Sequence, residues 1–242
     1  PPVWAKKGKS AAPADLEKFC NYVERTVSRY KNSVKYWELI NEPDWIYGTE
    51  GDLGKNNRFA ASPSDYLALL KAGYETIKKA NPKAIVVSGG FVPLPHLIQY
   101  LAEHGGGKYF DVLGMHRYRS WADLEKYAKL FPGKEIWLTE HLNETPEITA
   151  GDVFMSLKNG FSRTFFFDAV LQMVYFTKGL FNAHGWSPQK PVFALAQCAA
   201  KLEGKERAGE LQFPRLKKQV FGYLLDKGKS TQTVLVYSMY TG

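Results

Sequence analysis

Cysteine is scarce in this chain. Two are present among 242 residues, so no disulfide framework is implied. Cys20 lies on the apolar stripe Leu16, Phe19, Cys20, Val23, Val27, and Cys198 lies on Leu195, Cys198, Ala199, Leu202. Both read as small core residues of amphipathic helices. No apolar run is long enough to span a membrane, and no secretory leader is read ahead of Pro1. The five histidines, His96, His104, His116, His141 and His184, lack the helical His-x-x-x-His spacing of zinc hydrolases. A phosphate loop, a dinucleotide fingerprint and a nucleophile elbow are missing as well. The sequence therefore gives no sign of a cofactor or a metal. Nor does any long basic run accompany the net charge of +8. Lysines such as Lys71, Lys78 and Lys79 are spread over helix-like stretches, so the expected reading is a solvated basic surface, with neither nucleic acid nor membrane as partner.

What is present fits an ordinary globular protein. Hydrophobic residues make up 45% and charged residues 23%, enough apolar material for a sizeable core. Aromatics reach 14% and recur near loops. Sugar-stacking platforms and a well-packed core would both produce that figure, and composition leaves the two open.

Hydrophobic periodicity alternates along the chain. Helices are expected over 15–30, 64–80, 95–104, 122–130, 150–159 and 192–202. Strands are expected over 34–40, 84–88, 110–115, 135–139 and 163–167. Ser62-Pro63-Ser64 starts one helix and Asn81-Pro82 ends it. Ile85-Val86-Val87 and Thr164-Phe165-Phe166-Phe167 show no polar alternation, as strands covered on both faces should. Strand then helix, about five times over, argues for parallel βαβ units. From about residue 207 the rhythm changes. Gln219–Leu225 and Thr231–Met239 flank Asp226-Lys227-Gly228-Lys229, a hairpin signal. The expected organisation is an α/β unit over 1–206 and the beginning of an antiparallel β domain over 207–242.

Two glutamates end expected strands. In Trp37-Glu38-Leu39-Ile40-Asn41-Glu42-Pro43-Asp44, Pro43 cannot continue a ladder, which sets Asn41 and Glu42 at a C-terminal strand end. In Glu135-Ile136-Trp137-Leu138-Thr139-Glu140-His141 an apolar strand again ends in glutamate. Parallel barrels build their sites on that face, and two carboxylates across one pocket suit glycosidic cleavage. Taken alone, Asn-Glu-Pro could equally be a turn.

These segments resemble the clan A retaining glycoside hydrolases. Trp37 to Pro43 is similar to their fourth-strand motif, and Trp137-Leu138-Thr139-Glu140 to their seventh-strand nucleophile motif. Gly114-Met115-His116-Arg117-Tyr118 resembles the sixth-strand segment. Within the clan, the β-xylosidase and α-iduronidase family 39 is nearest, and the cellulase-like family 5 follows. The resemblance implies a (β/α)8 TIM-type barrel, incomplete here at about strands four to eight. It also implies an N-terminal barrel half upstream of Pro1 that activity requires.

By the same resemblance, Glu42 is the acid/base and Glu140 the nucleophile of a double-displacement hydrolysis of oligo- or polysaccharides. Asn41 would bind the sugar 2-hydroxyl, Tyr118 would orient the nucleophile, and His116 would brace one carboxylate. Trp45 and Trp186, with Tyr47 and Trp121, are candidate sugar platforms or core aromatics, and Asp168 is a weaker candidate for sugar contact. Arg117 is expected to point away from the site. Glu38, inside the strand, reads as a buried carboxylate in need of a cationic partner. Two alternatives stand beside this reading: a non-catalytic carbohydrate-binding or scaffold remnant of the fold, and a metal-dependent hydrolase using His116 and His141. A polysaccharide substrate would place the protein outside the cell or in the periplasm.

Overall fold

The computed structural model describes residues 15–44, 62–92, 94–117, 120–141, 145–167, 180–182, 187–202, 206–211, 220–226 and 232–238. Five short strands alternate with helices as far as residue 202. They run in chain order as α1 (Leu16–Tyr30), β1 (Tyr36–Glu38), α2 (Pro63–Ala80), β2 (Ile85–Val87), α3 (Pro95–Glu103), β3 (Val112–His116), α4 (Trp121–Ala128), β4 (Glu135–Glu140), α5 (Pro146–Lys158), β5 (Phe161–Thr164) and α6 (Lys190–Leu202). This is the expected α/β architecture, part of a barrel of the (β/α)8 type. By packing, the chain falls into two compact units, Pro1–Glu140 and His141–Gly242.

In the first unit, β1 to β4 pair in parallel in sequence order. Helix ends are set by local chemistry. The Asp15 side chain caps α1 by accepting the Lys18 N–H. Ser62 and Asp65 form a reciprocal capping box at the start of α2, with Pro63 in its first turn. The outward side of the sheet is sealed by α1 and α2, whose Val23, Val27 and Ile77 pack with Ala84 and Val86. The opposite side is formed by Val87, Val112 and Trp137, with Tyr36 and Ile85 against them. Val86 and Val87 thus face different layers, as alternate strand residues must. That is why β2 carries no polar residue.

A carboxylate ties a covering helix to the sheet. Asp111 Oδ2 accepts from Lys78 Nζ at 2.6 Å and from the buried Val86 N–H at 2.8 Å. Lys78 also donates to the Ala84 carbonyl at 2.6 Å. One ion pair therefore fixes α2 against the start of β2.

The register of β3 and β4 contains one irregularity that matters for the site. Gly114 pairs with Trp137 and Met115 with Leu138, but His116 then pairs with Glu140. Thr139 is an extra residue on β4. In an unbroken register His116 would lie beside Thr139. The bulge re-aims the strand end and brings the glutamate to the histidine.

In the second unit, α5 starts at Pro146, earlier than expected. The Thr145 side chain caps it by accepting the Ile148 N–H. Strand β5 lies earlier than expected, directly after Gly160, whose φ of 78° turns the chain out of α5, and it ends at Thr164; Phe165, expected in a strand covered on both faces, is exposed beyond it. Past α6 the structure becomes antiparallel. β6 (Glu206–Leu211) pairs with β7 (Val220–Asp226), and β7 pairs with β8 (Gln232–Ser238). The last two are the expected hairpin. β6 was not foreseen as a strand.

Candidate active site

Glu42 follows the C-terminal end of β1, while His116 and Glu140 are the last residues of β3 and β4. Their side chains meet. His116 Nδ1 lies 3.0 Å from Glu42 Oε1 and 3.8 Å from Glu140 Oε2. One ligand-type atom from each of the three falls within 4.8 Å of the others. The imidazole is 1% exposed, whereas the Glu42 and Glu140 side chains keep 26% and 19% of their surface. A buried ring thus carries two carboxylates that open toward solvent.

The backbone around them is built for close approach. Glu42 has φ of 47°, a left-handed conformation uncommon for a side chain of this kind. Its N–H donates to the Gly90 carbonyl at 3.1 Å. Gly90 lies against the His116 ring, and a Cβ there would overlap Nε2. Gly89 likewise has no room for a Cβ beside Pro43 and the Ile40 carbonyl. The two glycines let the β2 loop pass directly under the Asn41-Glu42-Pro43 turn. Ser88, also buried, accepts the Gly114 N–H at 2.9 Å and stitches this loop to β3.

Two further carboxylates surround the pair. Glu38 Oε1 accepts the Gly90 N–H at 2.9 Å. Burial pushes its pKa up to about 7; the His116 charge and the Gly90 N–H oppose the rise, and Glu140 adds to it. The partner that the sequence did not supply for Glu38 is therefore a backbone N–H, with an imidazole nearby. Glu38 as a whole is exposed, against the buried carboxylate expected from the sequence; only its carboxyl end, held on the Gly90 N–H, is enclosed enough for desolvation to act.

Asp44 is fully buried and accepts from the Val92 N–H (3.2 Å) and the Leu94 N–H (2.9 Å). Desolvation raises its pKa to about 6; these two bonds oppose the rise, and the neighbouring Glu42 charge adds to it. Asp44 straps the turn carrying Glu42 to the loop after β2. The sequence showed Asp44 within the motif, but its partners are main-chain groups far along the chain, which leave no residue-type signal.

Asn41 is exposed beside Glu42. Trp45, Tyr47, Tyr118, Asp168, His184 and Trp186 lie outside the described residues. Arg117 places its guanidinium 5.5 Å from the Trp121 ring centroid, a cation–π contact at the start of α4. Among the described residues, the cluster of ligand-type atoms does not include His141. His141 is buried in the second unit, with Nε2 2.6 Å from Asp152 Oδ2.

Carboxylates gathered at the C-terminal ends of parallel strands define an enzyme-like site on a barrel-type fold. No protein-family model matches the sequence, and no curated protein does either. Solved structures do match. A family 39 glycoside hydrolase from the gut symbiont Bacteroides cellulosilyticus WH2 shares 20% identity at a TM-score of 0.72, over 94% of this chain and 53% of that one. A family 39 β-xylosidase from Caulobacter crescentus gives 16% identity and a TM-score of 0.59, over 90% and 55%. The catalytic domain of the family 30 xylanase C from Talaromyces cellulolyticus gives 14% and 0.64, over 93% and 55%. At such identities the likeness establishes the fold. The chain spans about half the length of these structures.

Proposed function

We propose that this chain carries the catalytic pair of a retaining glycoside hydrolase acting on oligo- or polysaccharides, with Glu42 as acid/base and Glu140 as nucleophile. The observation that carries the reading is the spacing of the pair. Carboxylate oxygens of Glu42 and Glu140 approach within 4.8 Å. Retaining pairs stand about 5–5.5 Å apart, while inverting pairs leave roughly 6.5–9.5 Å for a water. The fold shared with glycoside hydrolases supports the same conclusion.

In this mechanism Glu140 attacks the anomeric carbon as Glu42 protonates the departing oxygen. The glycosidic bond breaks, and a glycosyl ester on Glu140 forms. Glu42, now ionised, takes a proton from water, whose oxygen displaces Glu140. His116 Nδ1 donates to the Glu42 carboxylate in the ionised state. When Glu42 holds its proton, the other imidazole tautomer accepts that bond.

The domain reading goes with this proposal: 1–206 as part of the catalytic barrel and 207–242 as the beginning of a β domain. A closed eight-stranded barrel has three more strand–helix units than the five seen here, and turnover is proposed to need them. A carbohydrate substrate also favours a secreted or periplasmic setting. The test is a screen of aryl glycosides of xylose, glucose, galactose, mannose and uronic acids. With the substrate that turns over, Glu140→Gly should abolish hydrolysis, and azide should restore it as a glycosyl azide of inverted configuration. Undiminished hydrolysis in Glu140→Gly would refute the assignment. Saccharide binding without turnover would favour a non-catalytic binding remnant instead.

A further inference from the structure

We propose that Glu42, His116 and Glu140 also form a binding site for a divalent transition-metal ion of the zinc class, and that its occupation silences the catalytic pair. The inhibitory half of this inference rests on the glycosidase reading; the binding half does not. Zinc bonds of about 2.0 Å in tetrahedral array set neighbouring donor atoms roughly 3.3 Å apart. Here the donor separations from Nδ1 are 3.0 and 3.8 Å, with all three atoms inside 4.8 Å. Displacements well under the length of one bond would bring them to a common centre.

The donor set is one nitrogen and two carboxylate oxygens, which suits zinc, cobalt or nickel. Calcium instead takes six to eight oxygens, and magnesium prefers to keep its waters. The donors are also held in place. His116 sits on β3 with its N–H on the Phe91 carbonyl at 2.7 Å, and its ring lies against Gly90. Glu140 ends β4, where its carbonyl accepts the Arg117 N–H at 3.1 Å. Glu42 is fixed by its turn and its bond to Gly90. Partial exposure of both carboxylates leaves an approach for the ion and a position for water as fourth ligand.

Electrostatics favour a cation as well. Ligation calls for both glutamates ionised and the imidazole neutral, which gives the donor set a charge of −2 and displaces the proton that Glu42 holds as acid. A divalent ion would neutralise the repulsion that the pair otherwise carries. Once coordinated, Glu140 cannot reach an anomeric carbon, and Glu42 cannot hold a proton. The ion would be an inhibitor that competes with the sugar.

Cobalt(II) is the probe, because its visible spectrum reports coordination without any need for turnover. Titrating the untagged protein at neutral pH should give one saturable equivalent, displaced by zinc. His116→Gln and Glu140→Gln, each checked for folding by circular dichroism, should weaken binding at least about tenfold. His104→Gln, which alters an exposed histidine away from the cluster, should leave it unchanged. Absence of saturable binding overturns the inference, and so does binding that survives both site variants or is lost in His104→Gln. With a glycoside that turns over, zinc should raise KM and leave kcat unchanged, and a chelator should reverse the effect. Activation by zinc would overturn the inhibitory half. Metal binding without any glycoside turnover would uphold the site and count against the glycosidase reading alone.

Discussion

Gly90 and His116 are so closely apposed that a single methyl group on the glycine would occupy the place of the imidazole Nε2. The ring is confined on that side by backbone and on the other by the Glu42 and Glu140 carboxylates. Gly90→Ala should therefore push the ring toward the carboxylates. Overpacking of this kind costs about 1–3 kcal/mol, and misplacing a catalytic group by about 1 Å costs roughly a hundredfold in rate. Urea unfolding and kcat/KM on the same sample would check both, with a larger loss expected in rate than in stability.

The acid/base assignment can be separated from the nucleophile. Glu42→Ala should slow hydrolysis of glycosides with poor leaving groups by about 10²–10⁴-fold, because general acid help is lost. Activated aryl glycosides should still form the glycosyl-enzyme. Added azide should then yield a product of retained configuration. An inverted product from this variant would mean that the roles of the two glutamates must be exchanged.

Asp44 should make the fold sensitive to mild alkalisation. Its pKa rises on folding, from the usual 3.8 to about 6, so the native state holds this proton more tightly than the unfolded chain does. The stabilisation is complete below pH 3.8 and is lost as pH rises through about 6. A shift of this size corresponds to roughly 3 kcal/mol. Asp44→Asn should flatten the change in urea midpoint between pH 4 and 6. An unchanged slope would show that another group sets it.

Asp111 offers a contrast away from the site. Asp111→Ala removes the acceptor of the buried Val86 N–H and the partner of Lys78. Leaving that N–H without a partner should cost about 1–3 kcal/mol. Rate per folded molecule should not change, since none of these groups reaches Glu42 or Glu140. Thermal unfolding paired with kcat would distinguish this from the Gly90 variant.

How far the sequence disclosed all this depends on what each feature is made of. The strands and helices were announced by their apolar patterns: a strand covered on both faces is a short continuous apolar run, and a helix covered on one face repeats every third or fourth residue. Boundaries were less legible. The pattern over 34–40 suggested a long strand, yet only Tyr36–Glu38 forms the ladder. Leu39 leaves it to pack over Gly73 of α2. The start of α5 was signalled by Thr145-Pro146, a cap and a first-turn proline that the apolar run beyond them overshadowed.

Within the site, Glu42 and Glu140 were visible as strand-ending glutamates, and His116 as a neighbour of the same motifs. The bulge at Thr139 was not visible, although it decides which β4 residue meets His116. Register is set by pairing between distant segments, so no single segment encodes it. The role of Asp44 and the partner of Glu38 were hidden for a related reason: both accept from backbone N–H groups, which every residue but proline possesses.

The left-handed turn at Glu42 has a consequence for how this position would age. A φ of 47° suits glycine or asparagine, and holding a glutamate there costs on the order of 1–2 kcal/mol. Replacement by glycine would release the strain and leave the loop beneath undisturbed. Drift unconstrained by chemistry would therefore run downhill, away from glutamate. On the proposed acid/base reading, Glu42 is a place where the backbone bears strain so that a carboxylate can stand at the strand end.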